Sequence, residues 1–598
     1  CLRGSVTSWL PFCWANDMQV LNSQNQIPSD ASFDLVVIGA GGAGMAAALF
    51  AALEGQRVLL VERTEHVGGT TAWSAGTTWV PGTHHAAKVN PTDTLADAAD
   101  YLTNAIGERT PSALRQAFLD HGAAAIRLLE DRSEVKFRPY PKHPDYISEL
   151  GGSTLNGRAL EPLPFDGRLL GDLFKLVRPP IPEFTVLGGM MVDRTDINHL
   201  LALTKSFASF KHALKIILRH GMDRLSHPRG TRLVMGNALV ARLLHSLSAH
   251  ADVTLLLNTS VDRFERDADG VSGVVLQGQG GSRTVAASGG VVLASGGFNR
   301  HPELRAAMLP GADIAWCPPA PGHTGAAHAL AQGVGAVYGQ GALSNAFWAP
   351  VSLRKRADGS TAVFPHFVMD RAKPGMLTVN QAGERFVNES TSYHLFGMAM
   401  QAVHNGSRSV PAYLVCDATA LQKYGIGMVR PGASAKDMAP FLADGYLTQA
   451  QTLDELAGKL GIHAAGLKAS VQKINACAQT GVDPDFQRGV TAYQQNIGDA
   501  AAGGKNPNLG PLDTAPFYAV KLYPGDIGAA TGFATDTSAC VRDASGQPIP
   551  GLYAVGNDMH SIMGGVYTAP GITIGPGIVF ACLAARHAAA HAQGKPGF

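Results

Sequence analysis

The chain has 598 residues, with 48 Lys plus Arg against 47 Asp plus Glu and 45% hydrophobic residues. This near-neutral, apolar-rich balance excludes a disordered chain, an acidic tail and a polybasic nucleic-acid binder. At about 150 residues per domain the length allows two to four domains, each large enough to bury a core.

Seven Cys, at positions 1, 13, 317, 416, 477, 540 and 582, form no CxxC pair. That pattern speaks against a disulfide framework and for a reducing cytoplasm. The first thirty residues begin at Cys1, and Leu10 to Trp14 is too short and broken for a signal-peptide core, so 1–30 is expected to be a disordered extension with Met18 as a candidate start. From Asp34 the pattern is regular. Asp34 to Ile38 reads as a buried parallel strand, Gly44 to Leu53 as a helix and Arg57 to Val61 as a second strand, a complete β-α-β unit.

Residues 92–130 read as amphipathic helices, and 143–166 as a loop of the length that usually carries function. Between 198 and 221 the helical pattern returns, with Lys211, Lys215 and Arg219 in one row and Phe210, Leu214 and Ile217 beside it. It is read as a surface helix or, more sharply, as a basic amphipathic helix in peripheral contact with a membrane where apolar substrate dissolves. Val253 to Leu257, Gly273 to Leu276 and Gly290 to Gly297 read as further strands; Thr452 to Leu460 and Ala464 to Thr480 read as helices. The longest uncharged run, Met559 to Ala585, is broken by Pro570, Pro576 and five Gly, so it reads as a loop entering a buried helix rather than a membrane span.

Gly39-Ala40-Gly41-Gly42-Ala43-Gly44 matches GxGxxG directly after a strand and at the opening of a helix. There glycines permit the tight turn and let backbone N–H groups approach a pyrophosphate at the positive helix end. Glu62 closes the second strand, where a carboxylate accepts from ribose hydroxyls. The bland alternative is a Gly-rich turn beside a solvated Glu. Gly68-Gly69-Thr70-Thr71 and Ser74-Ala75-Gly76 then offer small residues along a pyrophosphate and a flavin ring, favouring FAD over NAD.

That arrangement resembles the flavoprotein family of fumarate reductases and 3-ketosteroid dehydrogenases. The likeness runs from 34 to about 590 and includes Ala294-Ser295-Gly296-Gly297-Phe298, Gly551 to Asn557 and Gly571-Ile572-Thr573-Ile574-Gly575-Pro576. It implies an α/β fold: a Rossmann-like FAD-binding domain of the glutathione-reductase-2 type, in parts 31–342 and 516–598, with an inserted α+β catalytic domain at 343–515. The cofactor residues it implies are Gly39, Gly41, Gly42, Ala43, Gly44, Glu62, Arg63, Gly69, Thr70, Thr71, Ser74, Ala75, Gly76, Val261, Ser295, Gly296, Gly556, Asn557, Gly571, Thr573 and Ile574. Membrane-bound fumarate reductases attach flavin to a His in the loop after the second strand. No His lies between 67 and 83, so FAD is expected to be non-covalent.

Within the superfamily, fumarate reductases place Arg where this chain has Tyr393, and a substrate-binding His where it has Asp526-Ile527-Gly528. The match is instead to 3-ketosteroid Δ1-dehydrogenases: Pro144-Asp145-Tyr146, Tyr393, and Ser561 to Gly571 with Tyr567. The resemblance implies 1,2-dehydrogenation of a 3-ketosteroid in steroid catabolism. Tyr567 and Gly571 N–H would hold the carbonyl oxygen, Tyr393 would remove the α proton while hydride passes to flavin N5, and Tyr146 would stabilise the Tyr393 phenolate, whose ordinary pKa is about 10.

Thr568-Ala569, Gly528 to Gly532 and Asp558-Met559-His560 depart from the family's usual residues, so a related cyclic ketone is also in view as substrate. The alternatives are a Δ4-(5α)-ketosteroid dehydrogenase, an enone or fumarate-type reductase, and a non-catalytic flavin-binding sensor. No second nucleotide motif is evident, so an external electron acceptor is expected. His560 is read as structural or solvent-facing. The remaining His residues show no metal-ligand spacing, so no metal is expected.

Overall fold

The Leu35–Ile38 strand, every residue of it buried, is the centre of a seven-stranded sheet. In a computed structural model describing residues 17–268 and 270–594, the strand order is Gln19–Leu21, Val253–Leu256, Val58–Val61, Leu35–Ile38, Val291–Leu293, Pro548–Ala554 and Cys540–Arg542. All pairs are parallel except the last. Short β-branched strands with no polar face are what a sheet covered by helices on both sides requires.

The Gly42–Leu53 helix is buried nearly all round and packs against Ile574–Ala592 and Met235–Ser248. Its Ala46, Ala47, Ala48 and Ala51 oppose a partner rich in Gly and Ala, so the axes approach closely and no amphipathic stripe is needed.

The expectation of disorder through residue 30 is corrected where the chain is described. Gln19–Leu21 pairs in parallel with Val253–Leu256, and Met18 and Ile27 are buried. A three-residue strand shows no period, and its place comes from an open edge supplied by a distant segment. Residues 1–16 lie outside the described part of the chain.

A second, six-stranded antiparallel sheet has the order Thr361–Pro365, Ala346–Lys355, Phe517–Ala529, Ala412–Cys416 and Met376–Val379, with Thr448–Ala450 also paired to Phe517–Ala529. Leu414 and Cys416 enter a core on one face, while Tyr413 and Val415 enter the core under the Leu453–Leu460 and Ala464–Thr480 helices. Phe517–Ala529, expected in the returning FAD-binding part, is thus the central strand of this second sheet. Its buried Asp526 takes two bonds from Arg305, at 2.7 and 2.9 Å, and one from Asn299 at 2.6 Å, tying it to the segment after Val291–Leu293.

Residues 198–221 form two helices, Arg194–Leu201 and Phe207–Asp223. The second buries Ser209, Ala213, Ile216, His220 and Asp223 and turns Phe207, Phe210, Leu214, Leu218 and Met222 outward. No helix among the described residues is long and apolar enough to cross a membrane.

Candidate active site

The glycine-rich turn lies beyond the C-terminal end of Leu35–Ile38, where nucleotide ligands bind in open parallel sheets. Gly41 caps the Gly42–Leu53 helix, and Gly68 N–H closes on the Ala40 carbonyl at 2.7 Å, laying the 68–71 segment beside the turn. The turn needs its glycines. A Cβ at Gly39, where φ is +105°, would sit 2.4 Å from the Ala294 carbonyl oxygen, and one at Gly44 would sit 1.9 Å from that of Gly39.

Glu62 is buried, accepting from Ala40 N–H at 3.0 Å and from the Thr64 N–H and hydroxyl at 2.9 and 2.8 Å. Thr71 Oγ1 accepts from Gly42 N–H at 3.3 Å, and Thr70 Oγ1 lies 3.1 Å from His323 Nε2. Arg63 bonds the Thr324 hydroxyl. Ser74 Oγ accepts from Gly76 N–H, so Ser74, Ala75 and Gly76 form one tight turn against the start of the Met235–Ser248 helix.

Around the same cradle stand Ser295 and Gly296; Gly556, whose added Cβ would meet Ala43; and Asn557, Thr573 and Ile574 at the head of the Ile574–Ala592 helix. Val261 is further out, two residues past Thr259, whose N–H donates to the Glu62 carbonyl at 3.2 Å. The turn, the Glu and the helix head therefore lie around one cradle.

The cradle also fits a diphosphate-bearing flavin. A Cβ at Gly41 would meet no atom within 4 Å, leaving room beside the helix N-terminus. Ser295 Oγ and His323 Nδ1 are buried without a hydrogen-bond partner among the described residues, which suits a ligand rich in polar groups. A narrow cleft lined by Asn557, Thr573, Pro576 and Gly577 reaches Phe347, whose ring is 5.0 Å from that of Tyr567.

There the three expected tyrosines meet, drawn from three distant segments. The Tyr146 and Tyr393 hydroxyls are 3.2 Å apart, and the Tyr567 ring centroid is 5.0 Å from that of Tyr393 and 5.7 Å from that of Tyr146. Tyr393 opens the Tyr393–Ala402 helix, capped by Ser392. Tyr146 is fixed from the long loop by its N–H on the Thr568 carbonyl at 2.8 Å. His394 accepts from Trp348 N–H at 3.1 Å and donates to the Gly565 carbonyl at 3.0 Å, joining the second sheet to the turn before Tyr567.

Gly571 has φ +92°, and a Cβ there would be 2.5 Å from the Thr77 carbonyl. Its own N–H makes no hydrogen bond among the described residues. Burial pushes the Tyr393 and Tyr146 hydroxyls well above the ordinary range, and that of Tyr567 up as well. An ionised tyrosine here needs a compensating partner.

Several neighbours carry no spacing signal. Tyr493 places its ring 4.6 Å from Tyr146. Asp558, fully buried, accepts from the N–H groups of Ser295 and Gly297 and from His328, holding the cofactor loop. Burial alone would raise its carboxyl, but the bonds from His328 and Ser295 hold it below the usual range. His323 comes from a Pro/Gly-rich loop, and burial pushes it down to about 4. His560 is buried with both ring nitrogens unpartnered among the described residues, so it does not face solvent.

The profile of the FAD binding domain family matches residues 34–574. The chain is 37% identical to 4-oxocyclohex-2-ene-1-carboxylate 5-dehydrogenase of Sinomonas cyclohexanicum, over 94% of each chain. It is 33% identical to 3-oxosteroid 1-dehydrogenase of Mycolicibacterium smegmatis, over 94% of this chain and 98% of the relative. Among solved structures it superposes on a 3-ketosteroid Δ1-dehydrogenase from Sterolibacterium denitrificans in complex with 1,4-androstadiene-3,17-dione. The TM-score is 0.87 at 32% identity, covering 94% of this chain and 99% of that one.

Proposed function

The chain belongs to the FAD-dependent 3-ketosteroid Δ1-dehydrogenase family, and from that premise we propose that it desaturates a 3-ketosteroid at the bond beside the carbonyl. The carrying observation is the 3.2 Å contact of the Tyr146 and Tyr393 hydroxyls beside Tyr567, four residues before Gly571, whose N–H makes no hydrogen bond among the described residues.

Tyr567 O–H and Gly571 N–H receive the ketone oxygen as it gains negative charge, which acidifies the neighbouring C–H. Tyr393 takes that proton, and its bond to Tyr146 stabilises the ionised oxygen. FAD, when bound without a covalent link, supplies the acceptor for the hydride of the adjacent carbon. Gly39, Gly41, Gly42, Glu62, Thr70, Thr71, Ser295, Gly296, Asn557 and Thr573 would hold it. The three tyrosines are each less than one-tenth exposed, so bulk water is kept from the base. Electrons then leave to an external acceptor. The five described cysteines are free thiols, as suits a reducing cytoplasm.

The cyclohexene-carboxylate relative favours a second reading, a small cyclic ketone acid as substrate. Anaerobic addition of 4-androstene-3,17-dione to purified yellow enzyme is expected to bleach the flavin and yield a product with a new Δ1 double bond by mass and NMR. Bleaching by 4-oxocyclohexanecarboxylate but not by the steroid would assign the second reading; bleaching by neither would overturn both.

The enzyme also docks on an anionic lipid surface. Phe207 is 81% exposed, Leu218 58%, Met222 64% and Leu225 89%, in one stripe flanked by exposed Lys205, Lys211, Lys215 and Arg224. The only acid of that helix, Asp223, is buried. Such a face suits an interface where apolar ketones dissolve. The double variant Phe207→Asp/Leu218→Asp is expected to lose at least about tenfold in co-sedimentation with phosphatidylglycerol vesicles, with flavin bleaching intact. Equal sedimentation of the variant and wild type would remove the docking face.

A further inference from the structure

Away from the cofactor cradle and the tyrosine pocket, His84, His85 and Glu130 bring three metal-ligating side chains together. One ligand atom from each lies within 4.8 Å of the other two. Glu130 Oε2 is 3.2 Å from His84 Nε2 and 2.9 Å from His85 Nε2. Although adjacent in sequence, the two imidazole rings lie side by side, with centroids 4.0 Å apart and planes 37° apart, so both Nε2 atoms reach one oxygen.

Adjacent histidines with a Glu 45 residues further on make no ligand spacing in the letters, and only the fold assembles the set. His84 and His85 stand between the Thr78–Trp79 strand and the short Ala86–Val89 helix, while Glu130 is in the last turn of the Ser112–Arg132 helix. The chain around them is already packed. Trp79 stacks on Phe118 of the long helix at 6.0 Å, and a Cβ at Gly122 would meet Val80 at 2.8 Å.

The charge balance at this cluster calls for a cation. Glu130 is 9% exposed, yet among the described residues no Lys or Arg pairs with its carboxylate. Lys136, which reaches the same turn, donates instead to the backbone carbonyls of Glu130 and Ser133. Besides the two imidazoles, the carboxylate meets the Phe137 N–H, at 2.9 Å from Oε1. Buried carboxylates are paired with cations or coordinate metals.

We propose that His84, His85 and Glu130 bind a divalent transition-metal ion of the zinc class, through the two Nε2 atoms and Glu130 Oε2. A tetrahedral zinc ion with ligands at about 2.0–2.1 Å sets them about 3.3 Å apart, so the present 2.9 and 3.2 Å need to open by only a few tenths of an ångström. Two imidazoles and a carboxylate suit this ion better than Mg2+ or Ca2+, which take sets of oxygens. His84 Nδ1 is buried with no partner among the described residues, so nothing fixes the ring in the tautomer that protonates Nε2. Three protein ligands leave a fourth position for water, and the His84 side chain, 26% exposed, gives entry from solvent.

The ion is a clamp and takes no part in the reaction proposed above. Trp79, five residues before His84, donates its N–H to the Gly571 carbonyl at 3.2 Å and its indole N–H to Asp145 Oδ1 at 2.9 Å, next to Tyr146. An ion that joins His84 and His85 to Glu130 ties the strand bracing the pocket to the helix behind it.

The test titrates FAD-loaded enzyme, stripped with EDTA and freed of chelator, with Zn2+ alone in a calorimeter. One ion per chain is expected at a Kd below about 1 µM, and the thermal midpoint should rise as the ion is added. Mg2+ at the same concentration should do neither. His84→Ala and Glu130→Gln are each expected to weaken the site at least about tenfold and to cancel the thermal rise. His84 is partly exposed, so His84→Ala decides the matter if Glu130→Gln fails to fold. The chain has 21 His, so weak zinc binding at other places is background. A wild-type Kd above about 1 µM, or a tight site left intact in His84→Ala, overturns the proposal.

Discussion

Tyr393→Phe is expected to stay yellow and lose about 10²- to 10⁴-fold in the rate of flavin reduction, the usual contribution of a positioned base. The phenyl ring preserves the contacts at 5.0 Å with Tyr567 and 4.9 Å with Phe367, so the pocket keeps its shape. What disappears is the one oxygen bonded to Tyr146. Tyr146 lies 3.2 Å from it and does not replace it, because its N–H is pinned to the Thr568 carbonyl and its ring packs against Tyr493. Stopped-flow bleaching checks the rate, and flavin absorbance of denatured protein checks retention. Turnover near wild type would remove Tyr393 from the role of base.

Gly44→Val is expected to yield colourless protein. The first carbon of any side chain there would lie 1.9 Å from the Gly39 carbonyl oxygen and 3.1 Å from Ala294, so helix and strand would have to part at the turn that cradles the cofactor. Gly41→Ala is the matched control. Its Cβ meets nothing within 4 Å and its backbone is extended, so it should fold normally while weakening FAD retention by intruding on the ligand's space. FAD-to-protein ratios together with thermal melts read both effects. A fully loaded Gly44→Val protein would contradict the placement of the cofactor.

The parts of this molecule legible in its sequence are those whose chemistry demands a local pattern. Gly39 to Gly44 must follow a strand and open a helix, and they do; the Ala464–Thr480 helix keeps the expected bounds. Tyr146, Tyr393 and Tyr567 were reachable because each sits in a motif that resembles a known family, although nothing local brings them together. Tyr493, His323 and Asp558 escaped because each is a single residue in an irregular segment, placed by contacts with chain far away in sequence. The Phe207–Asp223 helix shows a different limit. Its amphipathy is plain in the letters, but a helical period does not say which face meets the protein. The small residues Ser209 and Ala213 pack inward while Phe210 and Leu214 face out. Gln19–Leu21 is simply too short to announce itself.

The parallel pairing of Val291 with Leu552 has a consequence during synthesis. The strand at Val291–Leu293 leaves the ribosome with its partner still unmade, because the whole second sheet is encoded between them. At about 5–20 residues per second that wait is about 13–50 s, during which one edge of the central sheet has no neighbour. An open, apolar, β-branched edge is a template for the wrong strand. The nascent chain is therefore most vulnerable to aggregation in this window, and because Gly556, Asn557 and Thr573 arrive last, FAD cannot shorten it. Chaperones that shield strand edges should raise the soluble yield more than added flavin does.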